Sequence, residues 1–350
     1  MQNSNQGAPI APFTTLDKNK YTTGFRARGK FLVVILGPTA AGKTSLAIEI
    51  AKTFNTEIIS ADSRQFFREM NIGTGKPSAK QLKEVKHHFI NSLSVTDDYN
   101  VGMFERDAHN VLEKIFNPNT KGGNTDEEKN ISGSLQGGGQ TFAVMVGGSG
   151  LYINAVCHGF DEMPEVNKEV RANLMALYKE NGIDALQSLL KKYDEKYYGR
   201  VDVKNPHRLI RAIEVCMVTG KSYAELRKGE KQKRNFTFIK IGLEMEREKL
   251  YEKINARVDE MMKQGLLDEV KSLVKYKHLN SLQTIGYLEL FDFIEGKTDL
   301  SSAVALIKQN TRNFAKRQMT WFKKDKETAW FEPNKKEEID KYILGKTANQ

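Results

Sequence analysis

The strongest constraint on the fold is a glycine-rich segment at residues 37–44, Gly-Pro-Thr-Ala-Ala-Gly-Lys-Thr. It matches the pattern GxxxxGK[ST] and lies between the apolar run FLVVILG and the helix-like run SLAIEIAKTF. In that position Gly37 and Gly42 let the backbone curl, so that its N–H groups converge on phosphate oxygens at the start of a helix. A tight turn between strand and helix is the alternative interpretation, but the complete pattern with both flanks favours phosphate binding.

The residues of this segment have separate tasks in a phosphate site. Lys43 adds a positive charge, and the Thr44 hydroxyl is the candidate ligand for a Mg²⁺ ion that bridges two phosphates. The predicted phosphate-binding residues are Gly37, Pro38, Thr39, Ala40, Ala41, Gly42, Lys43 and Thr44.

Short apolar runs alternate with helix-like segments after this motif. The runs are FLVVILG, EIIS and FAVMVGG, and a further strand is predicted at residues 236–245. Because continuous apolar runs indicate strands buried on both faces by crossover helices, the pattern predicts parallel strands. The expected fold is α/β, a parallel-sheet core like that of P-loop NTPases, with a small helical insertion and a helical C-terminal part.

The same pattern gives the expected organisation of the chain. Residues 1–29 are polar and lack apolar periodicity, which is typical of a flexible tail. Residues 30–159 and 206–332 are assigned to the core, residues 160–205 to the helical insertion, and residues 333–350 to a peripheral tail. Within the core, residues 117–140 contain Gly-Gly pairs and an acidic patch; we interpret them as a surface loop, with an interdomain linker as the alternative.

The composition narrows the class of protein. With 350 residues, 39% of them hydrophobic, the chain can form a packed core, and its net charge of +10 favours a polyanionic partner without identifying one. Cys157 and Cys216 lack the spacing of a zinc site, so we expect buried thiols in a reducing cytoplasm. Neither a secretory signal nor an apolar run of about 20 residues is present, and we expect no membrane contact.

A carboxylate follows the second apolar run. An ordinary P-loop ATPase would carry an acidic residue after a strand such as FAVMV, whereas here that run ends in Gly-Gly-Ser-Gly. Instead EIIS is followed by Ala61 and Asp62, which places Asp62 at the carboxyl end of a strand, where α/β sheets bind ligands. Asp62 is therefore the candidate general base, and a turn or helix-capping aspartate is the alternative.

Seven segments follow one another in a known order: GPTAAGKT, SADSRQ, NIGTGKP, VGGSGLY, NPHRLIRAIEV, TIGY and AKRQMTWFK. Over roughly residues 31–325 the chain resembles the bacterial tRNA dimethylallyltransferases, also called tRNA isopentenyltransferases. The resemblance implies transfer of a dimethylallyl group from dimethylallyl diphosphate, bound at the P-loop, to N6 of adenosine 37 in tRNAs that read codons starting with U. It also implies that Thr39 and Arg257 act with Asp62, although an arginine in a charged helix is commonly a surface residue.

The resemblance further implies a tRNA surface, for which a solvated charged face is the alternative interpretation. Two positions depart from the usual pattern: His207 replaces a common glutamine and adds pH dependence, and Ser149 replaces a threonine but keeps its hydroxyl. Trp321 is also compatible with a core position. The implied tRNA-binding residues are Asp62, Ser63, Arg64, Gln65, Ser149, Arg171, His207, Arg208, Leu209, Ile210, Arg211, Thr284, Gly286, Tyr287, Lys316, Arg317, Gln318, Trp321 and Lys323.

Two other functions are compatible with parts of the pattern. A small-molecule kinase shares the P-loop, the helical insertion and a strand-end aspartate, and it would bind or cleave ATP. An RNA-binding regulator that lost catalysis would bind tRNA without group transfer. The retained Lys43, Thr44 and Asp62 favour an enzyme, which we expect to be a monomer with Mg²⁺ as cofactor.

Overall fold

The computed structural model describes residues 29–118, 141–161, 163–165, 167–229 and 231–348. Residues 1–28 of the predicted tail at 1–29, and residues 119–140 of the predicted loop at 117–140, lie outside these ranges. The strands are β1 (Lys30–Leu36), β2 (Ile58–Ser60), β3 (His87–His88), β4 (Thr141–Gly147), β5 (Thr237–Leu243) and β6 (Ala329–Phe331). The helices are α1 (Lys43–Thr53), α2 (Ala79–Glu84), α3 (Val101–Phe116), α4 (Gly150–His158), α5 (Lys168–Tyr193), α6 (Glu195–Tyr198), α7 (Pro206–Thr219), α8 (Tyr223–Leu226), α9 (Arg247–Lys263), α10 (Leu266–Ser272), α11 (Tyr287–Ile294), α12 (Leu300–Phe322) and α13 (Lys336–Ala348).

The strands form one sheet in the order β3-β2-β4-β1-β5-β6, with every neighbouring pair parallel. The central strand β1 is buried from Phe31 to Leu36, as expected for a strand covered on both faces. This confirms the predicted α/β fold with a parallel sheet. The two edge strands, β3 and β6, were not predicted.

The carboxyl ends of the three central strands lie side by side. Leu36 of β1 pairs with Gly147 of β4 and with Gly242 of β5. The segments that leave β1 and β4 therefore start at the same edge of the sheet, and Asp62 follows the carboxyl end of β2, which pairs with β4. The sheet thus brings the predicted phosphate loop and the predicted base to one edge.

The described residues divide into two compact units. Residues 29–98, 108–118, 141–150 and 235–348 form the larger unit, and the described residues of 99–107 and 151–234 form the smaller one. The smaller unit contains more residues than the predicted insertion at 160–205. One reason is that α7, which was predicted to belong to the core, packs against α5 in the smaller unit. Leu209 and Ile213 of α7 share an apolar core with Leu186 and Leu190 of α5, which is kinked at Gly182.

The predicted peripheral tail is wrong for residues 336–348. These residues form α13, and the side chains of Ile339 and Ile343 are fully buried in the core beside Val33 and Ile241 of the sheet. Their i, i+4 spacing places both on one face of the helix. Helix α13 therefore belongs to the larger unit's core.

Both cysteines are buried, as predicted. Among the described residues, no helix combines the length and the apolar character needed to cross a membrane.

Candidate active site

The glycine-rich segment forms a loop between β1 and α1. Gly37 and Gly42 have φ values of 145° and 86°, in the region that favours glycine, and Ala40 has φ of 64°. A Cβ atom on Gly37 would lie 2.7 Å from the carbonyl oxygen of Leu243, so the loop also needs glycine for close passage beside β5. The loop delivers the backbone N–H groups of the first turn of α1 to the carboxyl edge of the sheet, as an anion site requires.

Lys43 folds back onto this loop. Its Nζ donates a hydrogen bond to the carbonyl oxygen of Pro38 at 2.7 Å. Burial of the ammonium end lowers the pKa of Lys43 to about 8; nearby Asp62 opposes this shift and Arg257 adds to it. The lysine is therefore a buried cation whose charge depends on pH within an accessible range.

Asp62 lies just after β2 in a tight turn. The Ala61 N–H donates to the carbonyl oxygen of Val146 at 2.7 Å, which ties the turn to β4. The Arg64 N–H donates to Oδ1 of Asp62 at 3.1 Å, so the carboxylate does make the local turn contact that the alternative interpretation expected. It also lines the cavity described next, and the two roles are compatible because a carboxylate has two oxygens.

A cavity of about 490 Å³ opens at this edge of the sheet. Of the predicted catalytic and phosphate-binding residues, it brings together Thr39, Ala40, Ala41, Gly42, Lys43, Thr44, Asp62 and Arg257. The predicted Gly37 and Pro38 are not among its lining residues. The remaining lining comes from α1, from β2 and the loop after it, from α2, from β3, from the end of β4, and from α9 and the residue that follows it: Ser45, Ser60, Gln65, Ile72, Thr74, Gly75, Lys76, Pro77, Gln81, His87, Val146, Gly147, Lys253, Glu260, Met261 and Gln264.

Arg257 reaches this cavity from α9. Its Nη2 donates to the carbonyl oxygen of Gly75 at 3.2 Å. Burial lowers the pKa of the guanidinium while Asp62 raises it, and because an arginine pKa starts so high the group keeps its charge. A Cβ atom on Gly75 would lie 1.4 Å from Nη2 of Arg257, so a side chain at position 75 is incompatible with this arrangement.

The loop at residues 71–77 carries Gly75, and Glu269 of α10 fixes its start. The carboxylate accepts backbone N–H groups from Asn71, Ile72 and Gly73 at 3.0, 2.8 and 3.1 Å. It also accepts the hydroxyl of Tyr287 at 2.6 Å, and burial together with Glu269 raises the pKa of that phenol. The sequence motif NIGTGKP thus forms a loop that a glutamate distant in the sequence holds in place. The sequence analysis assigned no role to this loop or to Glu269.

Lys76, which follows Gly75, is a further cation of the cavity wall and was not identified from the sequence. Its Nζ donates to the carbonyl oxygen of Phe67 at 2.6 Å and to the side-chain oxygens of Asn71 and Asn91 at 3.1 and 2.5 Å. Burial lowers its pKa to about 8, and Glu269 and Glu69 oppose the shift. These three acceptors match the three donors of an ammonium group, so Lys76 supports the loop from inside.

The predicted tRNA-binding residues of the larger unit fall into exposed and buried groups. Lys316, Arg317, Trp321 and Lys323 are exposed on and just beyond the last turns of α12, and Trp321 is 41% exposed, which makes it a surface residue. Tyr287, Gly286 and Gln318 are buried. Sequence reasoning could have separated them, because Ala315, Gln318 and Phe322 have the i, i+3, i+7 spacing of one helix face.

Other predicted residues of the larger unit support its loops. The Arg64 guanidinium donates to the carbonyl oxygens of Asn280 and Ser281 at 3.0 and 3.1 Å. Ser149 Oγ accepts the N–H of Ser63 at 3.2 Å, and the Gln65 amide donates to the carbonyl oxygens of Thr74 and Gly75 at 3.4 Å each. Thr284 is partly exposed in the segment before α11.

The remaining predicted residues belong to the smaller unit. His207 and Arg208 are exposed in the first turn of α7, whereas Leu209 and Ile210 are buried in the apolar core. Arg171 and Arg211 both donate to the buried Glu214 carboxylate, at 2.7 and 2.9 Å. The Glu214 carboxylate offsets part of the charge of Arg171 and Arg211. Of the predicted tRNA-binding residues in the smaller unit, His207 and Arg208 are therefore the ones most available to a ligand.

The larger unit offers oxygen ligands that suit a divalent cation. Thr44 supplies a hydroxyl and Asp62 a carboxylate to the same cavity. Mg²⁺ prefers oxygen ligands and keeps several waters, so one or two protein oxygens beside a phosphate group fit its requirements.

The sequence and the fold both resemble those of known proteins. A sequence model of the IPP transferase family matches residues 65–121 and 128–325. The tRNA dimethylallyltransferase of Christiangramia forsetii is 50% identical over 302 residues, 86% of this chain and 93% of the relative. The tRNA dimethylallyltransferase 1 of Bacteroides thetaiotaomicron is 43% identical over 312 residues, 89% of this chain and 94% of the relative.

Two crystal structures provide independent support. The tRNA isopentenylpyrophosphate transferase of Bacillus halodurans superposes with a TM-score of 0.63 and 34% identity, covering 91% of this chain and 97% of that one. The Staphylococcus epidermidis tRNA delta(2)-isopentenylpyrophosphate transferase gives 0.61 and 30%, covering 91% and 99%. Because the family match covers well over half of the residues and these relatives align over nearly their full lengths, this chain belongs to the IPP transferase family.

Proposed function

We propose that this chain is a tRNA dimethylallyltransferase, which moves a dimethylallyl group from dimethylallyl diphosphate to N6 of adenosine 37 in tRNAs that read codons starting with U. The observation that carries the proposal is the cavity in which Lys43, Asp62 and Arg257 meet. It combines a diphosphate site, a carboxylate base and a cation for the leaving group. The names of the two relatives at 50% and 43% identity support the transfer of a dimethylallyl group to tRNA.

The chemistry divides between these residues. An exocyclic adenine amine is a weak nucleophile because its lone pair is delocalised into the ring, so Asp62 accepts the N6 proton as the N6–carbon bond forms. The bond between the dimethylallyl carbon and the bridging oxygen breaks, and the electron pair leaves with diphosphate. Lys43, the P-loop N–H groups and Arg257 stabilise the charge that develops on that oxygen, and Thr39 contacts the same region.

Mg²⁺ is the expected cofactor, and the Thr44 hydroxyl in the cavity would hold it. When bound, it supplies additional charge stabilisation to the leaving diphosphate.

The diphosphate product distinguishes this reaction from that of a kinase. With dimethylallyl diphosphate, Mg²⁺ and unmodified tRNA, we expect release of diphosphate that stops when tRNA is omitted. With ATP in place of the prenyl donor we expect no ADP. ADP formation without release of diphosphate would favour the kinase interpretation.

Diphosphate affinity is expected to fall as pH rises through about 8. Lys43 is charged below its pKa of about 8 and loses its proton above it, so the free protein binds an anion less well at high pH. If the bound form requires the charged lysine, the Kd for inorganic diphosphate rises by about tenfold per pH unit above that pKa. Calorimetric titration between about pH 7 and 9.5 measures this dependence.

Two variants test whether Lys43 causes this pH dependence of diphosphate affinity. Lys43→Arg keeps a charge throughout this range, so the dependence is expected to disappear. Lys76→Met removes the other cavity lysine with a pKa of about 8 and is expected to leave the dependence in place. A dependence that survives in Lys43→Arg contradicts the assignment.

The exposed cations are expected to contribute to the salt dependence of tRNA binding. Arg317→Ala or Arg208→Ala is expected to weaken tRNA binding and to lower the slope of log affinity against log salt by about 0.7–0.9 for each phosphate that the variant no longer neutralises. Filter binding at several salt concentrations measures this slope. Lys341→Ala, an equal charge change at an exposed residue of α13 outside the proposed surface, is the control; if all three variants change the slope equally, the cations act only through net charge.

A further inference from the structure

Gln318 is a buried amide whose two polar ends bind two different loops. It lies on α12 with 7% of its surface exposed. Its Oε1 accepts the backbone N–H of Thr39 at 2.9 Å, and its Nε2 donates to the carbonyl oxygen of Gly148 at 2.9 Å. Both contacts are made to backbone atoms, so they fix the paths of the two loops.

One of these loops belongs to the proposed diphosphate site, and the other supports the proposed base. Thr39 lies in the P-loop, which binds the diphosphate. Gly148 begins the segment after β4, where Ser149 holds the turn around Asp62: its N–H donates to the carbonyl oxygen of Ala61 at 3.3 Å and its Oγ accepts the N–H of Ser63. Gln318 therefore connects the donor side of the site to the segment that supports the base.

The amide is packed closely against the segment after β4. A Cβ atom on Gly148 would lie 2.3 Å from Nε2 of Gln318, so the close approach depends on glycine at that position. One turn further along α12, a Cβ atom on Gly150 would lie 2.3 Å from Nε1 of Trp321. The end of α12 is thus packed directly onto the Gly-Gly-Ser-Gly segment.

We infer that Gln318 is a positioning residue for prenyl transfer, holding the Thr39 bend of the P-loop in register with the segment that supports Asp62. The inference rests on the proposed function, and it replaces the tRNA contact that the family resemblance implied for this position. Both polar ends of the Gln318 amide bond backbone atoms, so we assign it an effect through the two loops and not through a substrate. It acts because group transfer needs the attacking nitrogen, the carbon and the leaving oxygen aligned, and a displacement of about 1 Å costs up to about 10²-fold in rate.

Gln318→Leu is the first test, because leucine fills a similar volume but neither accepts nor donates. We expect kcat to fall by about 10²-fold at saturating substrates and the Kd for inorganic diphosphate to weaken, while the Kd for tRNA stays within about threefold of the wild-type value. Gln309→Leu, the same change at an exposed position of α12, is the control and is expected to leave all three values unchanged.

Gln318→Glu separates positioning from simple stabilisation. The charged carboxylate accepts from the Thr39 N–H but repels the Gly148 carbonyl oxygen, whereas the protonated acid accepts from one and donates to the other, as the amide does. Burial favours the protonated form, so the rate of Gln318→Glu relative to wild type is expected to rise as pH falls from about 8 to about 6. The Gln318→Leu rate relative to wild type is expected not to change with pH.

Two results would overturn the inference. A weaker Kd for tRNA with unchanged kcat in Gln318→Leu would return the residue to the tRNA surface. The second result is an equal loss of kcat in Gln318→Leu and Gln318→Glu, together with a lower melting temperature of both and no recovery of Gln318→Glu at low pH. It would show that Gln318 only stabilises the fold. Absence of transfer by the wild-type protein would count against the proposed function instead, and the Kd for inorganic diphosphate still tests Gln318 in that case.

Discussion

Asp62→Asn is expected to lower kcat by about 10²-fold or more while changing tRNA affinity much less, because it removes the proton acceptor and keeps the shape of the side chain. The asparagine oxygen can still accept the Arg64 N–H that Asp62 binds at 3.1 Å, so the turn after β2 is expected to survive. Single-turnover kinetics at saturating tRNA measure the transfer step directly, and filter binding measures tRNA affinity.

The neighbouring charges make a matched control necessary. Asp62 offsets the effect of burial on both Lys43 and Arg257, so its removal also weakens the diphosphate site. Asp268→Asn, on α10, removes an exposed carboxylate that pairs only weakly with Lys271 at 3.4 Å and is expected to be neutral. Turnover of Asp62→Asn within a few-fold of wild type would exclude the general-base role.

Arg257→Gln is expected to lower kcat by about 10²–10³-fold, because the variant loses the charge that stabilises the leaving diphosphate. Gly75→Ala is expected to lower kcat to a similar extent, because it changes the residue that Arg257 contacts. Its Cβ would lie 1.4 Å from Nη2 of Arg257 and would displace the guanidinium. The kcat values of the two single variants and of the double variant measure whether they act through one contact. If they do, the double variant is expected to lose little more than either single variant.

Backbone strain at Gly75 needs its own control, because φ is 57° there and any side chain is strained in that region. Gly296 has φ of 74° with open space where a Cβ would lie, so Gly296→Ala introduces a comparable strain without displacing a side chain. We expect Gly296→Ala to retain near-normal turnover at a somewhat reduced stability. A loss of turnover equal to that of Gly75→Ala would attribute the effect to backbone strain and not to Arg257.

The central fold could be predicted from the sequence because the signals for it are local and redundant. The glycine-rich segment, the apolar strand before it and the helix after it occupy consecutive residues, and each requires the others. The edge strands were missed because β3 has two residues and β6 has three, which is too short to show a period. Helix α13 was missed because the apolar residues of its segment, KEEIDKYILGKTA, give only weak helical periodicity.

The candidate site was less accessible to sequence reasoning because its contacts are distant along the chain. Glu269 lies 196–198 residues from the backbone groups that it holds, and Gln318 lies 279 residues from Thr39, so no short motif records either contact. Arg257 was identified only through family resemblance, since nothing in its own helix distinguishes it from a surface arginine. The charged appearance of AKRQMTWFK likewise concealed that Gln318 lies on the buried face of α12.

The most direct test of the central claim is identification of the modified nucleoside. The purified protein is incubated with Mg²⁺, labelled dimethylallyl diphosphate and an unmodified tRNA that reads codons starting with U, and the digested tRNA is analysed by mass spectrometry. We predict N6-(dimethylallyl)adenosine at position 37, absent with Lys43→Ala and absent from a tRNA with guanosine at that position. An unmodified adenosine 37 in tRNA that the wild-type protein demonstrably binds would contradict the proposed reaction.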